Sequence, residues 1–136
     1  MTGADYVAAF LAKCGIKDIF LLTGGACVLM VDAIGRRNDI QYWCFQHEQG
    51  AAMAADAVWK TTRNVGATMA TSGPGATNLI TGIACNYFDS VPVIHITGQV
   101  NMRDSEVFAN TNVRQTGFQE TQIAELVKPI TKHAVQ

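Results

Sequence analysis

Short apolar runs alternate along the chain with longer stretches whose apolar positions recur at helical spacing. Tyr6, Val7, Phe10 and Leu11 share one helical face, and Gly15 follows where a helix end tolerates positive φ, which predicts a first helix from about Gly3 to Cys14. Asp18-Ile19-Phe20-Leu21-Leu22 is short enough for a buried strand. It is closed by Thr23-Gly24-Gly25 and followed by a helix over about Ala26 to Arg36. The unit then repeats: Ile40 to Cys44 as a strand, Glu48 to Thr61 as an alanine-rich helix, and Val65 to Ala70 as a third strand. After the turn Thr71-Ser72-Gly73-Pro74-Gly75 come a helix over about Ala76 to Asn86 and a strand from Val91 to Thr97. From Gly98 to Gly117 periodicity disappears and polar residues dominate, which reads as a long functional loop. A short helix near Gln119 to Leu126 and an extended piece from Ile130 to Ala134 complete the pattern.

Largely apolar strands alternating with helices predict an α/β fold, a doubly wound and mostly parallel sheet with helices on both faces. The 136 residues suit one domain, and the absence of a capping or terminal signal at Val135-Gln136 predicts a domain cut from a longer chain. Apolar residues make up 49% and charged residues only 15%, so part of the surface is expected to be covered by another domain or subunit. A net charge of −1, with Arg36-Arg37 as the only adjacent basic pair, argues against a nucleic-acid partner. No apolar run approaches the roughly 18 residues of a membrane span, and no basic and apolar leader opens the chain. Cys14, Cys27, Cys44 and Cys85 stand singly and read as small buried hydrophobes of a reducing compartment. The expectation is a cytoplasmic protein.

In a doubly wound sheet, ligands bind at the carboxyl ends of the strands. Four stretches should meet there: Thr23-Gly24-Gly25, Gln46 to Gly50, Thr71 to Asn78 and Thr97-Gly98-Gln99. Glu48 would open a helix whose dipole favours its charge, and the small residues Gly50 to Ala55 behind it would admit close approach of another element or a flat ligand. Spacing alone favours a plain first-turn helix acid. Thr71 to Asn78 resembles a phosphate-cradling turn, yet Asn78 stands at the third glycine position and no acid ends the next strand, so a generic strand-to-helix turn competes with it. His47, His95 and His133 have no i, i+4 partner for a metal, and His95 falls inside a strand as a core residue. Cys27 lacks a neighbouring base in sequence.

Seven segments taken in order resemble acetohydroxyacid (acetolactate) synthase and its relatives among the thiamine-diphosphate enzymes. They are Phe-x-x-x-Gly-Gly at 20 to 25, His-Glu-Gln-Gly-Ala-Ala at 47 to 52, Thr-Ser-Gly-Pro-Gly-Ala-Thr-Asn at 71 to 78, Asp-Ser-Val-Pro at 89 to 92, Thr-Gly-Gln-Val at 97 to 100, Phe-Gln-Glu-Thr at 118 to 121 and Thr-Lys-His at 131 to 133. The resemblance implies that residues 1–136 are the N-terminal pyrimidine-binding (PYR) domain of such an enzyme. It implies that Glu48 hydrogen-bonds N1′ of the aminopyrimidine and promotes its imino tautomer, which activates the cofactor toward a 2-keto acid. Pro74 and Asn78 would line the aminopyrimidine site, Leu22, Gly24 and Gly25 its other side, and Phe118 and Gln119 the reacting end, with Glu48 and Gln119 as the catalytic pair. Gln99 matches the Thr-Gly-Gln segment and is carried over with the cofactor-binding set.

The same resemblance assigns magnesium and the diphosphate to a downstream domain carrying Gly-Asp-Gly and a later Asn, which these residues do not contain. The site would then form against the diphosphate domain of a partner subunit, in a homodimer or homotetramer, and the fragment alone would be inactive. Some members carry FAD on a middle domain, so the parent could hold a flavin. Leu22-Thr23 departs from the aromatic and proline that the family usually places before its glycine pair. The stretch Arg114 to Glu120 resembles acetolactate-synthase-like proteins of other pathways, sugar modification among them, so the substrate is left open. Two other readings stand beside this one. One is a non-catalytic α/β binding or dimerisation module. The other is a nucleotide-binding oxidoreductase domain, which the failed dinucleotide fingerprint disfavours.

Overall fold

A computed structural model describes residues 1–115 and 117–136 of the chain. In order, the elements are α1 (Gly3–Lys13), β1 (Asp18–Leu21), a 3-10 turn (Gly25–Cys27), α2 (Val28–Gly35), β2 (Gln41–Cys44), α3 (Glu48–Thr62), β3 (Gly66–Ala70), α4 (Pro74–Asn78), α5 (Ile80–Phe88), β4 (Val93–Thr97), α6 (Met102–Asn110), α7 (Ile123–Val127) and a second 3-10 turn (Lys128–Ile130). The four strands form one sheet in the order β2-β1-β3-β4, and every pairing is parallel. Parallel neighbours need crossover connections, and helices supply them here.

Period-two alternation in β1 sends side chains to two cores. Ile19 and Leu21 join Ala8, Leu11, Ile34 and Met69 beneath α1 and α2. Phe20 points the other way, to Ala51 and Ala55 of α3, with Phe45 edge-on to it at 5.8 Å between ring centroids. Helices therefore cover both faces, as an α/β doubly wound sheet requires. Every residue of β3 is buried. The small side chains of α3 let the helix sit close to both its neighbours. A Cβ added at Gly82 of α5 would fall 2.2 Å from the Ala52 Cβ, and one at Gly66 of β3 would fall 2.9 Å from the Ala55 carbonyl oxygen. The close approach expected along Gly50 to Ala55 is thus made by the sheet and α5.

Several expectations are corrected. The stretch 98–117 is not structureless, because α6 occupies its middle. Asn101 caps that helix, accepting from the Asp104 backbone N–H at 3.0 Å while its side-chain amide donates to the Asp104 carboxylate at 2.6 Å. The helix expected from Ala76 begins two residues earlier at Pro74, whose missing N–H costs nothing at the first helical position, and it is interrupted at Leu79. The extended piece expected from Ile130 to Ala134 starts one residue later, since a 3-10 turn ends at Ile130 and Thr131 is extended, and it joins no strand of the sheet. Of the four cysteines only Cys27 is buried, since Cys14 caps α1, Cys44 lies on the edge strand β2 and Cys85 faces outward from α5. β2 itself is exposed throughout: as an edge strand it has a neighbour on one side only.

The basic pair is engaged by acids. Arg36 reaches Asp5 at 2.6 Å and Asp32 at 3.0 Å, and Arg37 reaches Asp39 at 2.6 Å. Among the described residues no helix is long and apolar enough to cross a membrane.

Candidate functional site

β2 leads into Phe45 to His47, and His47 caps α3 by accepting the Gln49 N–H on its ring Nδ1 at 3.1 Å. Glu48 is the first residue of that helix. A first-turn acid normally faces water, yet Glu48 is only 5% exposed. The reason is the path of α3, which turns back over β1 and β3 and carries its first side chain onto the end of the sheet. There Glu48 Oε2 accepts the side-chain N–H of Asn78, at the end of α4, at 2.9 Å. The other carboxylate oxygen lies against Gly75, where an added Cβ would come within 3.1 Å of Oε1. Glu48 is thus the first-turn helix acid that spacing predicts, but a buried and paired one.

Thr71 fixes the spacing of the two glycine turns. It follows β3, and its Oγ1 accepts the Ala26 backbone N–H at 3.2 Å. Its side chain fills the space that a Cβ on Gly24 or Gly75 would need, at 2.5 Å and 2.8 Å respectively. The turn after β1 and the turn after β3 therefore lock through one threonine. Close approach between chain segments accounts for these two glycines without a phosphate to cradle.

Gly73 adopts φ of +59°, in the left-handed region, and caps α4. A Cβ at Gly73 would meet the Gln119 carbonyl oxygen at 2.5 Å, so the backbone of Gln119 rests on the start of α4. Phe118 and Gln119 are exposed, as are Pro74 and Asn78. Leu22 is half-buried and donates its backbone N–H to Met69 O at 3.2 Å. Glu48, Asn78, Gly24 and Gln119 thus come to one rim, connected by Thr71, Gly73 and Gly75. Gln99 does not join them: its side-chain amide donates to Ser105 of α6 at 3.0 Å, and it lines a separate cavity of about 70 Å³. The joining role of Thr71 was not foreseen, because both its contacts lie dozens of residues upstream or on the far side of a turn.

Two other candidates resolve as structural. Cys27 is buried with its thiol directed at the Gly24 carbonyl oxygen at 3.4 Å, and burial raises its proton affinity, so it is a neutral thiol. His95 accepts from Thr68 Oγ1 on Nδ1 at 2.8 Å and donates from Nε2 to Asn86 Oδ1 at 2.9 Å. Burial lowers its pKa to about 4. A cavity of about 850 Å³ lies beside β4, away from Glu48, lined by residues including Ile83, Val93, His95, Val127 and Ile130. A buried carboxylate with one oxygen fixed by an amide can hold a proton-bearing ring nitrogen of a flat ligand on its other oxygen, while the exposed rim residues leave the ligand's far end for a second surface.

Residues 1–126 match the family described as thiamine pyrophosphate enzyme, N-terminal TPP binding domain. The chain is 42% identical over 131 residues to acetolactate synthase 2, chloroplastic, of Zea mays, covering 96% of this chain and 19% of that protein. It is 44% identical over 136 residues to the acetolactate synthase large subunit of Cyanidium caldarium, covering 98% of this chain and 22% of that protein. It is 40% identical over 133 residues to an acetolactate synthase of Mycobacterium avium, covering 98% and 20%. The chain spans about a fifth of the length of these relatives.

Proposed function

Because this chain belongs to the thiamine pyrophosphate enzymes, matching their N-terminal TPP binding domain, we propose that it supplies the aminopyrimidine half of an acetolactate-synthase-like active site. The observation that carries the proposal is the buried Glu48 carboxylate held by Asn78 on a rim bounded by glycine turns. Thiamine diphosphate, when bound, supplies the nucleophilic carbon and the electron sink for decarboxylating a 2-keto acid.

The residues fit that group. Glu48 Oε1 is the oxygen left to share a proton with N1′ of the aminopyrimidine, because Oε2 is engaged by Asn78. A hydrogen bond in so dry a position is stronger than one made in water. Asn78 orients the carboxyl group. Pro74 and Leu22 flank the ring, Gly25 leaves its approach open while Gly24 lets Thr71 close up behind the turn, and Phe118 and Gln119 stand at the edge where the reacting carbonyl compounds enter. Gln99, whose amide is engaged by Ser105, takes no part in holding the ring in this reading.

In this reading the domain belongs to a longer chain. Magnesium and the diphosphate are held by a downstream domain of a partner subunit in a homodimer or homotetramer, and the substrates are a 2-keto acid donor and a carbonyl acceptor. The open rim supports a site completed from outside these residues.

The test is CO₂ release from pyruvate by the full-length protein with thiamine diphosphate and Mg²⁺, comparing wild type with Glu48→Gln. The expected result is a loss of about 10²- to 10⁴-fold, the usual range for removing a positioned acid-base group. Equal release from both proteins would remove Glu48 from the mechanism. Binding of the cofactor without turnover of any 2-keto acid would favour the non-catalytic module.

A further inference from the structure

We propose that Glu120 is a positioning residue for this site, holding Gln119 over the start of α4 without touching the reacting atoms. The inference rests on the reading above that Gln119 faces the substrates. Gln119 lies in an irregular segment, residues 117–122, where no helix or strand fixes the backbone. Two contacts hold that segment to the rim. One is the seat on Gly73, where the Gln119 carbonyl oxygen and Cβ occupy the space that any larger residue would take.

The other is the Glu120 carboxylate. Its Oε2 accepts the backbone N–H of Val100, just past β4, at 3.1 Å, and its Oε1 accepts the N–H of Thr121 at 3.1 Å. Val100 is buried three residues past the end of β4, so the first of these bonds ties the irregular segment to a packed point of the chain 20 residues away. Both carboxylate oxygens are used on backbone donors, and charge-assisted bonds of this kind are stronger and more directional than neutral ones. Glu120 thus sets where residue 119 can be, with its own carboxylate spent on the Val100 and Thr121 backbone N–H groups. Catalysis is sensitive to such placement, since a displacement of about 1 Å can cost on the order of 100-fold in rate.

The experiment uses the full-length protein as wild type, Glu120→Ala, Glu120→Gln, Gln119→Ala and the Gln119→Ala/Glu120→Ala double variant. Steady-state kinetics, cofactor affinity and melting temperature are measured for each. Glu120→Ala is expected to lower kcat by roughly 10- to 100-fold while cofactor affinity and melting temperature stay near wild type. Glu120→Gln, which keeps one acceptor oxygen, should recover part of the loss. The double variant should be no slower than the slower single variant, because Glu120 acts through Gln119. Wild-type kcat in Glu120→Ala would overturn the proposal. So would losses that multiply in the double variant, or a loss that simply follows a fall in melting temperature. Amide exchange separates this idea from the reading it rests on. If the wild-type protein turns over no 2-keto acid, that reading fails, while unchanged exchange at Val100 and Thr121 in Glu120→Ala would independently sink the anchor.

Discussion

Lowering the pH from 7.5 to 4.5 should cost this fold stability through one histidine, and the structure says which and roughly how much. Thr68 and His95 are Cα partners in the β3–β4 register, so their side chains meet on one face of the sheet. From there a hydrogen-bonded chain crosses two helices: Thr68 to His95, His95 to Asn86 of α5, and Asn86 to Asp56 of α3 at 2.8 Å. Asp56 in turn holds Lys60 at 2.8 Å, which also reaches Asp89 at 2.7 Å. The polarity is fixed from the acid end. A carboxylate only accepts, so Asn86 presents its N–H₂ to Asp56 and its oxygen to His95, leaving Nδ1 of the neutral ring as the acceptor for the Thr68 hydroxyl. A second ring proton would face that hydroxyl and force it to turn.

Burial holds the His95 pKa at about 4, against an ordinary value of 6.5. Between those two values the unfolded chain takes up a proton that the folded chain refuses, so stability rises with pH through this window and the contribution is lost as pH falls through it. The full difference corresponds to at most about 3 kcal/mol. The ring also borders the cavity beside β4, where water would ease the penalty, so about 1 to 3 kcal/mol is expected by pH 4.5.

Urea unfolding of wild type and His95→Gln at both pH values measures it, since glutamine keeps a donor for Asn86 and does not titrate. The wild type should lose about 1 to 3 kcal/mol more than the variant. Asp5, held low chiefly by the Thr2 backbone N–H and also by Arg36, and Asp39, held low by Arg37, contribute stability above the ordinary carboxylate range and lose it below about pH 4, equally in both proteins. An identical acid loss in the two proteins would show that His95 protonates freely in the folded state.

Two further substitutions probe the packing and the site. Gly82→Ala should destabilise by about 1 to 3 kcal/mol, because its Cβ would overlap Ala52 and push α5 off α3, and thermal melting checks this. Asn78→Ala should weaken cofactor binding measured by calorimetry while costing about 1 to 3 kcal/mol in unfolding experiments, since it strips the partner from a buried carboxylate oxygen. Unchanged binding would mean that the Glu48–Asn78 pair does not shape the site.

Most of the fold was legible because its signals are local and repeated. The runs 18–22, 40–44, 65–70 and 91–97 each contain an observed strand, and their connecting helices follow from turn residues and apolar spacing. What was misread had weaker or competing local signals. The described side chains of the first turns of α6, Met102 to Val107, are mostly polar and exposed, so apolar periodicity gave little signal, although the Asn101 and Asp104 capping pair stands in the sequence. The break at Leu79 left no trace because Leu79 is a good helix former that is completely buried in tertiary contacts. The cysteines were assigned to the interior by residue type, which is a tendency over many proteins and says nothing about which face of α5 or which edge of the sheet a given cysteine occupies.

The candidate site divides in the same way, and the division explains why its parts have the composition they do. Glu48 could be placed at a helix start from spacing, but its burial depends on α3 crossing back over β1 and β3, a property of strand order. The glycines of Thr71 to Asn78 suggested either a phosphate cradle or a generic strand-to-helix turn, because both use glycine before a helix. In the structure Gly24 and Gly75 make room for Thr71, and Gly73 for the backbone of Gln119. Each glycine is therefore matched to a partner that sequence spacing does not reveal. Substituting one would move a whole turn relative to Glu48, whereas changing an exposed residue such as Pro74 or Phe118 would alter the surface and leave that geometry standing. The rim owes its shape to these glycine contacts, and packing explains how residues far apart in sequence come together around one buried carboxylate.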